Sequence, residues 1–420
     1  MLLIKNGRVI DPSLQIDRVM DILVEDGIIK KLGQIKGNYK TIDASGLVVA
    51  PGLVDAHVHF RDPGFTYKED LESGSKAAIA GGFTTVVLMA NTSPAVDCLD
   101  VYYDIMNRAQ NLPLSIHQCA NVTLGLKGKE LTDMEAFYQA GVCGFTDDGI
   151  PIGDPQILLK AFEYSHRFDL PISLHEEDAQ LIGSSGVNEG EVSRQLGIKG
   201  ACKEAEEVLI ARDCILAKKT GAKIDIQHLS SGMSVDIIQL MKKLGVNVYC
   251  EVTPQHLCLT EKDVLKYGAY AKINPPFRTE EDRLKLIWGL KNDIIDMIVT
   301  DHAPHSKEEK ERGIDKAPSG MIGLETSLAL VITHLVEPGH LTLAKALEKM
   351  TINPAKFYKF DCGTLQIGKK ADIVIFDPHE KWTVSLNDFK GKSVNSPFIG
   401  HELTGRVRYT IHHGNIVYSH

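Results

Sequence analysis

The sequence predicts an α/β protein, a (β/α)8 TIM-like barrel with a small composite β-sandwich domain from both termini. Three observations carry that reading. Eight apolar, β-branched runs alternate with segments of helical length through the middle of the chain, the two ends share a different and turn-rich texture, and each of the eight runs closes on polar side chains. In a parallel barrel the C-terminal ends of the strands meet at one mouth, so polar residues far apart in sequence would converge there.

The eight runs are LVVAPGLVDAHVH, FTTVVLMANT, PLSIHQCANV, GVCGFTDDG, LPISLHEED, KIDIQHLSS, VNVYCEVTPQHL and IIDMIVTDHAPH. Between them lie YKEDLESGSKAAIAGG, DPQILLKAFEYSHRFD, CKEAEEVLIARDCILAKKTG and TEEDRLKLIWGLKND, which have the length and composition of amphipathic helices. The first 50 residues read as short strands, LLIKNGRVI, VMDILVEDGIIKKLG and YKTIDASGLVVAPG, bent at NG, DG and SG. ADIVIFDPHEKWTV and GRVRYTIHHGNIVYS resume that texture near the end. The expected division is therefore 1–50 and 357–420 for one composite β domain and 51–356 for the barrel.

Bulk properties narrow the function. A chain of 420 residues can bury a large core, and 43% hydrophobic with 24% charged residues is the usage of a globular protein rather than a disordered one. A formal net charge of -9 supplies no basic field, which disfavours nucleic acid and anionic membrane and favours a small-molecule partner. The opening MLLIKNGRVIDPS turns too early for a signal peptide, and no apolar stretch reaches membrane-spanning length. The eight cysteines are scattered and never form C-x-x-C, so they read as free thiols in a reducing cytoplasm.

The polar residues at the strand ends are His57 and His59, Asn91, His117, Asp148, His175, His228, His256 and Asp301. Side chains at i and i+2 of a strand share a face, so His57 and His59 can hold one ion together. An isolated H-x-H is more often a pair of hydrogen-bonded core histidines, but here His175, His228 and Asp301 close further strands of the same barrel. Four imidazoles and two carboxylates exceed what one tetrahedral zinc needs, and two ions bridged by a carboxylate are the expectation. GFTDDG supplies the bridge, and strand alternation lets only one of Asp147 and Asp148 face inward without saying which. His117 and His256 lack a paired ligand and read as satisfied histidines, while His166, His334, His379, His412 and His413 receive no role.

Taken together, PGLVDAHVHFRDPG, MANTSPAVD, GFTDDG, LHEED, QHLSSG, EVTPQHL, NPPFR, VTDHAPH, GLET and GTLQIGKKADIVIFD resemble the amidohydrolase superfamily, and within it the aspartate-bridged class I dihydroorotases, over nearly the whole chain. The resemblance implies His57, His59, Asp148, His175, His228 and Asp301 as ligands of two zinc ions per subunit. Asp148 takes the bridging place where relatives such as dihydropyrimidinases carry a carboxylated lysine, and GVCGFTDDG contains no lysine. The resemblance further implies Asp301 as the catalytic acid and base, and His59, Arg61, Asn91, Asn274, His305, Ser319 and Gly320 as substrate contacts. Arg61 suits an α-carboxylate because a planar guanidinium binds two oxygens at once. Relatives show proline where Ala90 stands, a change in loop stiffness that leaves Asn91 in place.

The activity implied is the reversible closure of N-carbamoyl-L-aspartate to (S)-dihydroorotate and water in pyrimidine biosynthesis, by a cytoplasmic enzyme acting as a homodimer or in association with other enzymes of that pathway. The alternatives are another cyclic amide or ureide hydrolase of the allantoinase or hydantoinase type, and a catalytically silent barrel scaffold. A silent relative would lose ligands, and every expected one is present.

Overall fold

Alternation of apolar and polar residues at the start of the chain builds strand ladders, because successive side chains of a strand point to opposite faces. The computed structural model describes residues 1–183 and 186–420. Its first strands are β1 (Leu2–Asp11), β2 (Ile16–Glu25), β3 (Ile28–Gly33), β4 (Lys40–Asp43) and β5 (Val48–Pro51). β1 pairs β2 antiparallel along one edge and β4, then β5, in parallel along the other.

Eight parallel strands follow: β6 (Leu53–Val58), β7 (Phe83–Leu88), β8 (Ser115–Gln118), β9 (Phe145–Thr146), β10 (Ile172–Leu174), β11 (Ile224–Ile226), β12 (Val248–Val252) and β13 (Met297–Ile298). They fall in two sheets, β6-β7-β8 and β9 to β13. Two parallel bridges close these into a barrel, Ala120 with Phe145 and Val58 with His302. The strands are shorter than the apolar runs that announce them, because the polar end of most runs leaves the ladder.

The intervening helices form where the apolar spacing and the caps direct. Pro155–Phe168 starts on Asp154, whose side chain accepts from Gln156 N, with Pro155 at the first helical position where its missing N–H costs nothing. Glu204–Thr220 ends on Gly221 in the left-handed region, and Glu280–Lys291 begins with a capping box between Thr279 and Asp282. Among the described residues no helix is long and apolar enough to cross a membrane.

The last strands are β14 (Ile373–Thr383), β15 (Glu402–His412) and β16 (Asn415–Ser419). β14 pairs β5 antiparallel, giving one eight-stranded sheet in the order β16-β15-β14-β5-β1-β2-β3 with β4 beside β1. Ile4, Ile22, Val49, Ile373 and Ile411 share one apolar cluster, so the two ends of the chain have a common core.

Helix Ile352–Tyr358 runs through the expected division at 356/357. Phe357 and Tyr358 pack with Val87, Cys119, Cys143 and Met297 at the barrel floor, so this helix belongs to the barrel and we place the division after it. The expectation that every strand carries its polar group to the mouth fails at β8. His117 sits in mid-strand, paired with Val87, and stacks on Phe360 at the floor with ring centroids 3.8 Å apart. All eight cysteines are free, and the Sγ atoms of Cys119 and Cys143 lie 3.7 Å apart.

Candidate metal centre

β6 delivers His57 and His59 to the mouth on one face, and each ring is fixed by a partner on another strand. His57 Nδ1–H donates to Glu251 Oε1 of β12 at 2.6 Å, which turns Nε2 inward, where it is buried and has no hydrogen-bond partner among the described residues. Asn91 Nδ2 donates to Asp148, to Oδ2 at 3.0 Å and to its carbonyl at 3.2 Å. The other end of that amide is therefore an acceptor, and His59 Nδ1–H donates to Asn91 Oδ1 at 2.9 Å. His175 Nε2–H donates to Glu177 Oε2 at 2.9 Å, two residues further along the same face.

In its neutral form each of these three rings thus uses its one N–H on an outer acceptor and aims a nitrogen lone pair inward. The inward atoms of His57 and His59 face carboxylate oxygens. His57 Nε2 lies 3.6 Å from Asp148 Oδ1 and 3.5 Å from Asp301 Oδ1; His59 Nε2 lies 3.3 Å from Asp148 Oδ2 and 3.1 Å from Asp301 Oδ1. His175 Nδ1 lies 3.7 Å from Asp148 Oδ1 and 3.1 Å from His228 Nε2, while His228 Nδ1 is buried without a partner among the described residues. Zinc holds N and O ligands at about 2.0–2.1 Å, which sets two ligands of one tetrahedral ion about 3.4 Å apart. The observed spacings bracket that edge length, so the donor set fits bound cations.

The titration behaviour has the same origin. Burial pushes the His57 pKa down, but the carboxylates of Glu251, Asp148 and Asp301 override it and hold the value well above an ordinary imidazole. Burial pushes Asp148 up, and the imidazoles of His57, His59 and His175 hold it well below the carboxylate range. With no other cation the cluster retains a proton; a metal ion takes the proton's place. His57, His59 and Asp301 form one group of converging donor atoms, and His57, Asp148 and His228 another.

Of the two aspartates that the sequence leaves open, Asp148 turns inward and stands between the pairs His57/His59 and His175/His228. Asp147 turns away and accepts from Val122 N at 2.9 Å and Thr123 N at 3.1 Å, bracing the loop. Backbone strain gathers at the same place: Arg61, His228 and Asp301 have φ of 58°, 32° and 46°, in the left-handed region that non-glycine residues avoid. Such conformations cost about 1–3 kcal/mol each and persist where the surrounding structure over-determines them.

His59, Arg61, Asn91, Asp148, His175, His228, Asn274, Asp301, His305, Ser319 and Gly320 line one cavity of about 210 Å³, with His57 buried beneath it. Its size is below the usual ligand range of about 300–1,000 Å³ and suits a small substrate. Arg61 donates through Nε to Pro304 O at 3.3 Å and has no ion-pair partner among the described residues, so a cationic fork is held at the rim without a carboxylate in direct contact. Asn274 Oδ1 is buried and has no hydrogen-bond partner among the described residues. His305 Nε2–H donates to Ser319 O at 2.9 Å. Burial and the charges of Arg61, Lys68 and Lys310 lower its pKa to about 2, so it is neutral. Gly320 has φ +126°, and a Cβ there would come within 2.8 Å of Ala303 Cβ and 3.1 Å of His305 Nε2. His256 stands outside the cavity: Nε2–H donates to Pro275 O at 2.9 Å, fixing the segment that presents Asn274.

The sequence reading did not single out Glu251, Glu177 or Asp55. Glu177 was within reach, since it follows His175 at i+2; Glu251 shows only as one carboxylate in the apolar run VYCEV. Asp55 accepts from His57 N at 3.1 Å and from Thr300 N at 3.2 Å, tying β6 to the segment that carries Asp301.

This chain belongs to the amidohydrolase family, whose profile matches residues 48–417. It is 55% identical over 422 residues to the dihydroorotase of Clostridioides difficile (strain 630), covering 100% of both chains. It is 49% identical to the dihydroorotase of Clostridium acetobutylicum, covering 100% of this chain and 99% of that one. Among solved structures it superposes on an L-hydantoinase (dihydropyrimidinase) from Arthrobacter aurescens with a TM-score of 0.90 at 28% identity, covering 100% of this chain and 96% of that one.

Removing the carboxylate behind His57 should loosen the centre. Glu251→Gln is expected to weaken metal retention about 10- to 100-fold, the usual effect of changing an outer partner of a ligating histidine. Metal content after dialysis against a graded chelator measures it, and retention equal to the wild type would show that Glu251 does not support His57.

Proposed function

We propose that this protein is a dihydroorotase, closing N-carbamoyl-L-aspartate reversibly to (S)-dihydroorotate and water in pyrimidine biosynthesis. The observation that carries the reading is the Arg61 guanidinium, held without a contacting carboxylate at the rim of the His/Asp cavity, in a chain 55% identical end to end to a dihydroorotase. Substrate and product both keep an α-carboxylate, and a fixed guanidinium pairs with both its oxygens. Cyclic amides without that group leave the charge of Arg61 unmatched.

The metal assignment is zinc, because ligation by four imidazoles favours it over magnesium or calcium. Two ions per chain would suit the donors: His57, His59 and Asp301 would hold one, His175 and His228 the other, with Asp148 within reach of both sets. When bound, they supply Lewis acidity and bring the pKa of water to near neutrality. The remaining work falls to the chain's own groups.

Asp301 accepts the proton of the attacking water and delivers it to the ring nitrogen as the amide opens, the second water proton leaving to solvent with the new carboxylate. In closure it takes a proton from the ureido nitrogen and returns it to the departing oxygen, which takes its second proton from solvent. Burial pushes its pKa up, but His57, His59 and His228 keep it below the ordinary value, so it begins as a base. Arg61 fixes the α-carboxylate. Asn274 Oδ1 accepts from a substrate N–H, and neutral His305 with Ser319 and Gly320 closes the far wall. Asn91 acts chiefly through His59 and Asp148, since both ends of its amide are engaged with them.

Two substitutions separate these roles. Asp301→Asn should abolish turnover, a loss of at least about 10²- to 10⁴-fold in kcat for removing an acid–base group; near-normal kcat would remove Asp301 from proton transfer. Arg61→Met should raise KM for dihydroorotate about 30-fold or more, from the loss of a charge-assisted pair. Its effect on uncharged cyclic amides should be small, and equal losses on both substrates would refute the carboxylate role.

A further inference from the structure

Three neighbouring barrel helices carry apolar side chains on the face turned away from the core. Glu204–Thr220 packs against Gly232–Lys243, and that helix packs against Glu280–Lys291. Each buries one face in the barrel: Leu209, Ile210 and Cys214 from the first, Val235 and Ile238 from the second, Leu286 and Leu290 from the third. On an ordinary surface helix the opposite face is polar. Here Val208 is 51% and Ile215 60% exposed on the first helix, and Met233, Leu240, Leu284 and Trp288 are exposed on its neighbours. Single exposed apolar residues need no explanation, whereas a patch spread over three adjoining helices marks an interaction surface.

The charge pattern of the first helix identifies what covers it. Spacings of three and four residues return to one face of an α-helix, so Glu204, Val208, Ala211, Ile215, Lys218 and Lys219 form a single stripe, acidic at its start and basic at its end. The ion pairs along this helix join Lys203 to Asp282 and Arg212 to Asp213, which leaves Glu204, Lys218 and Lys219 without one among the described residues. Laid antiparallel on a copy of itself about a two-fold axis level with Ala211 and Arg212, the stripe is its own complement. Val208 then meets the partner's Ile215, and Glu204 meets the partner's Lys218 and Lys219. Ala211, the smallest side chain of the stripe, falls at the crossing, where it lets the two helices approach.

We propose that this three-helix face is the contact by which two copies of the chain form a two-fold symmetric dimer, with helix Glu204–Thr220 crossing its own copy at Ala211. A two-fold axis makes each contact twice, so a patch that is complementary to itself is what such an interface requires. At about 10 Å between helices and about 1.5 Å per residue the face measures roughly 600 Å² in flat projection, near the ~800 Å² per partner of a stable interface. The helices flank the barrel rather than cap it, so the cavity at the mouth stays open in both copies.

The test is sedimentation equilibrium of the full chain and three variants, with circular dichroism to check folding. The wild type is expected to have the mass of two chains at micromolar concentration. Ile215→Asp places a carboxylate in both copies of the apolar contact and should weaken the dimer about 100-fold or more. Glu204→Lys sets like charges against each other and should weaken it about 10-fold or more. Adding Lys218→Glu and Lys219→Glu to Glu204→Lys rebuilds the pairs with their signs reversed and should restore the wild-type dimer. A monomeric wild type overturns the proposal, as does a dimer that Ile215→Asp and Glu204→Lys leave intact. Should Ile215→Asp fail to fold, the charge variants decide: loss followed by recovery supports the two-fold pairing, and no loss or no recovery overturns it.

Discussion

Lone pairs and carboxylate charge converging at the barrel mouth, around a position that either a retained proton or a cation must fill, are the constraint on which this structure turns. Glu251, Asn91 and Glu177 each engage the outer N–H of a ring, so the inner nitrogens of His57, His59 and His175 have nothing to donate. Those of His57 and His59 face carboxylate oxygens at 3.1 to 3.6 Å, and that of His175 lies 3.7 Å from Asp148 and 3.1 Å from His228 Nε2. Buried acceptors left opposed in this way are costly, and a multivalent cation is the economical resolution. A closed parallel barrel is what brings them together, since the donors come from β6, β9, β10, β11 and β13 and only the shared C-terminal rim of those strands makes them neighbours.

Rigidity around the cavity follows from the same need. Arg61, His228 and Asp301 are held in left-handed backbone conformations, which orient their side chains into the mouth at a cost in local stability. On the far wall the buried Lys310 ammonium donates to Pro318 O at 2.9 Å and Gly320 O at 3.0 Å while His305 donates to the carbonyl between them. Three successive carbonyls are thereby fixed, which sets the path of the Ser319–Gly320 backbone beside the substrate cavity. Burial lowers the pKa of Lys310 to about 7, a sign of how thoroughly that wall is removed from water.

Much of this was legible in the sequence because two periodicities carry it. The alternation of apolar runs with helical segments announces the barrel, and the i, i+2 rule places His57 with His59 on one face. The choice between Asp147 and Asp148 was not legible, since parity within a two-residue strand depends on where the ladder begins, and only the pairing of Phe145 and Thr146 with β10 fixes it. Glu251 was hidden for a different reason: its meaning lies in a partner 194 residues away. Asn91 suggested a substrate contact; it lines the cavity, and its amide also joins His59 to Asp148. His117 was placed at a strand end because the run PLSIHQCANV looks continuous, but the strand proper stops at Gln118 and leaves His117 at the level of Val87.

The central claim is that bound cations, rather than retained protons, satisfy the mouth cluster and support the reaction. The most direct measurement strips metal from the protein, refills it in steps with zinc, and records dihydroorotate hydrolysis and zinc per chain on the same samples. Activity absent in the stripped protein and rising with occupancy of the mouth ligands is the predicted result. Full activity with no metal bound would contradict the account.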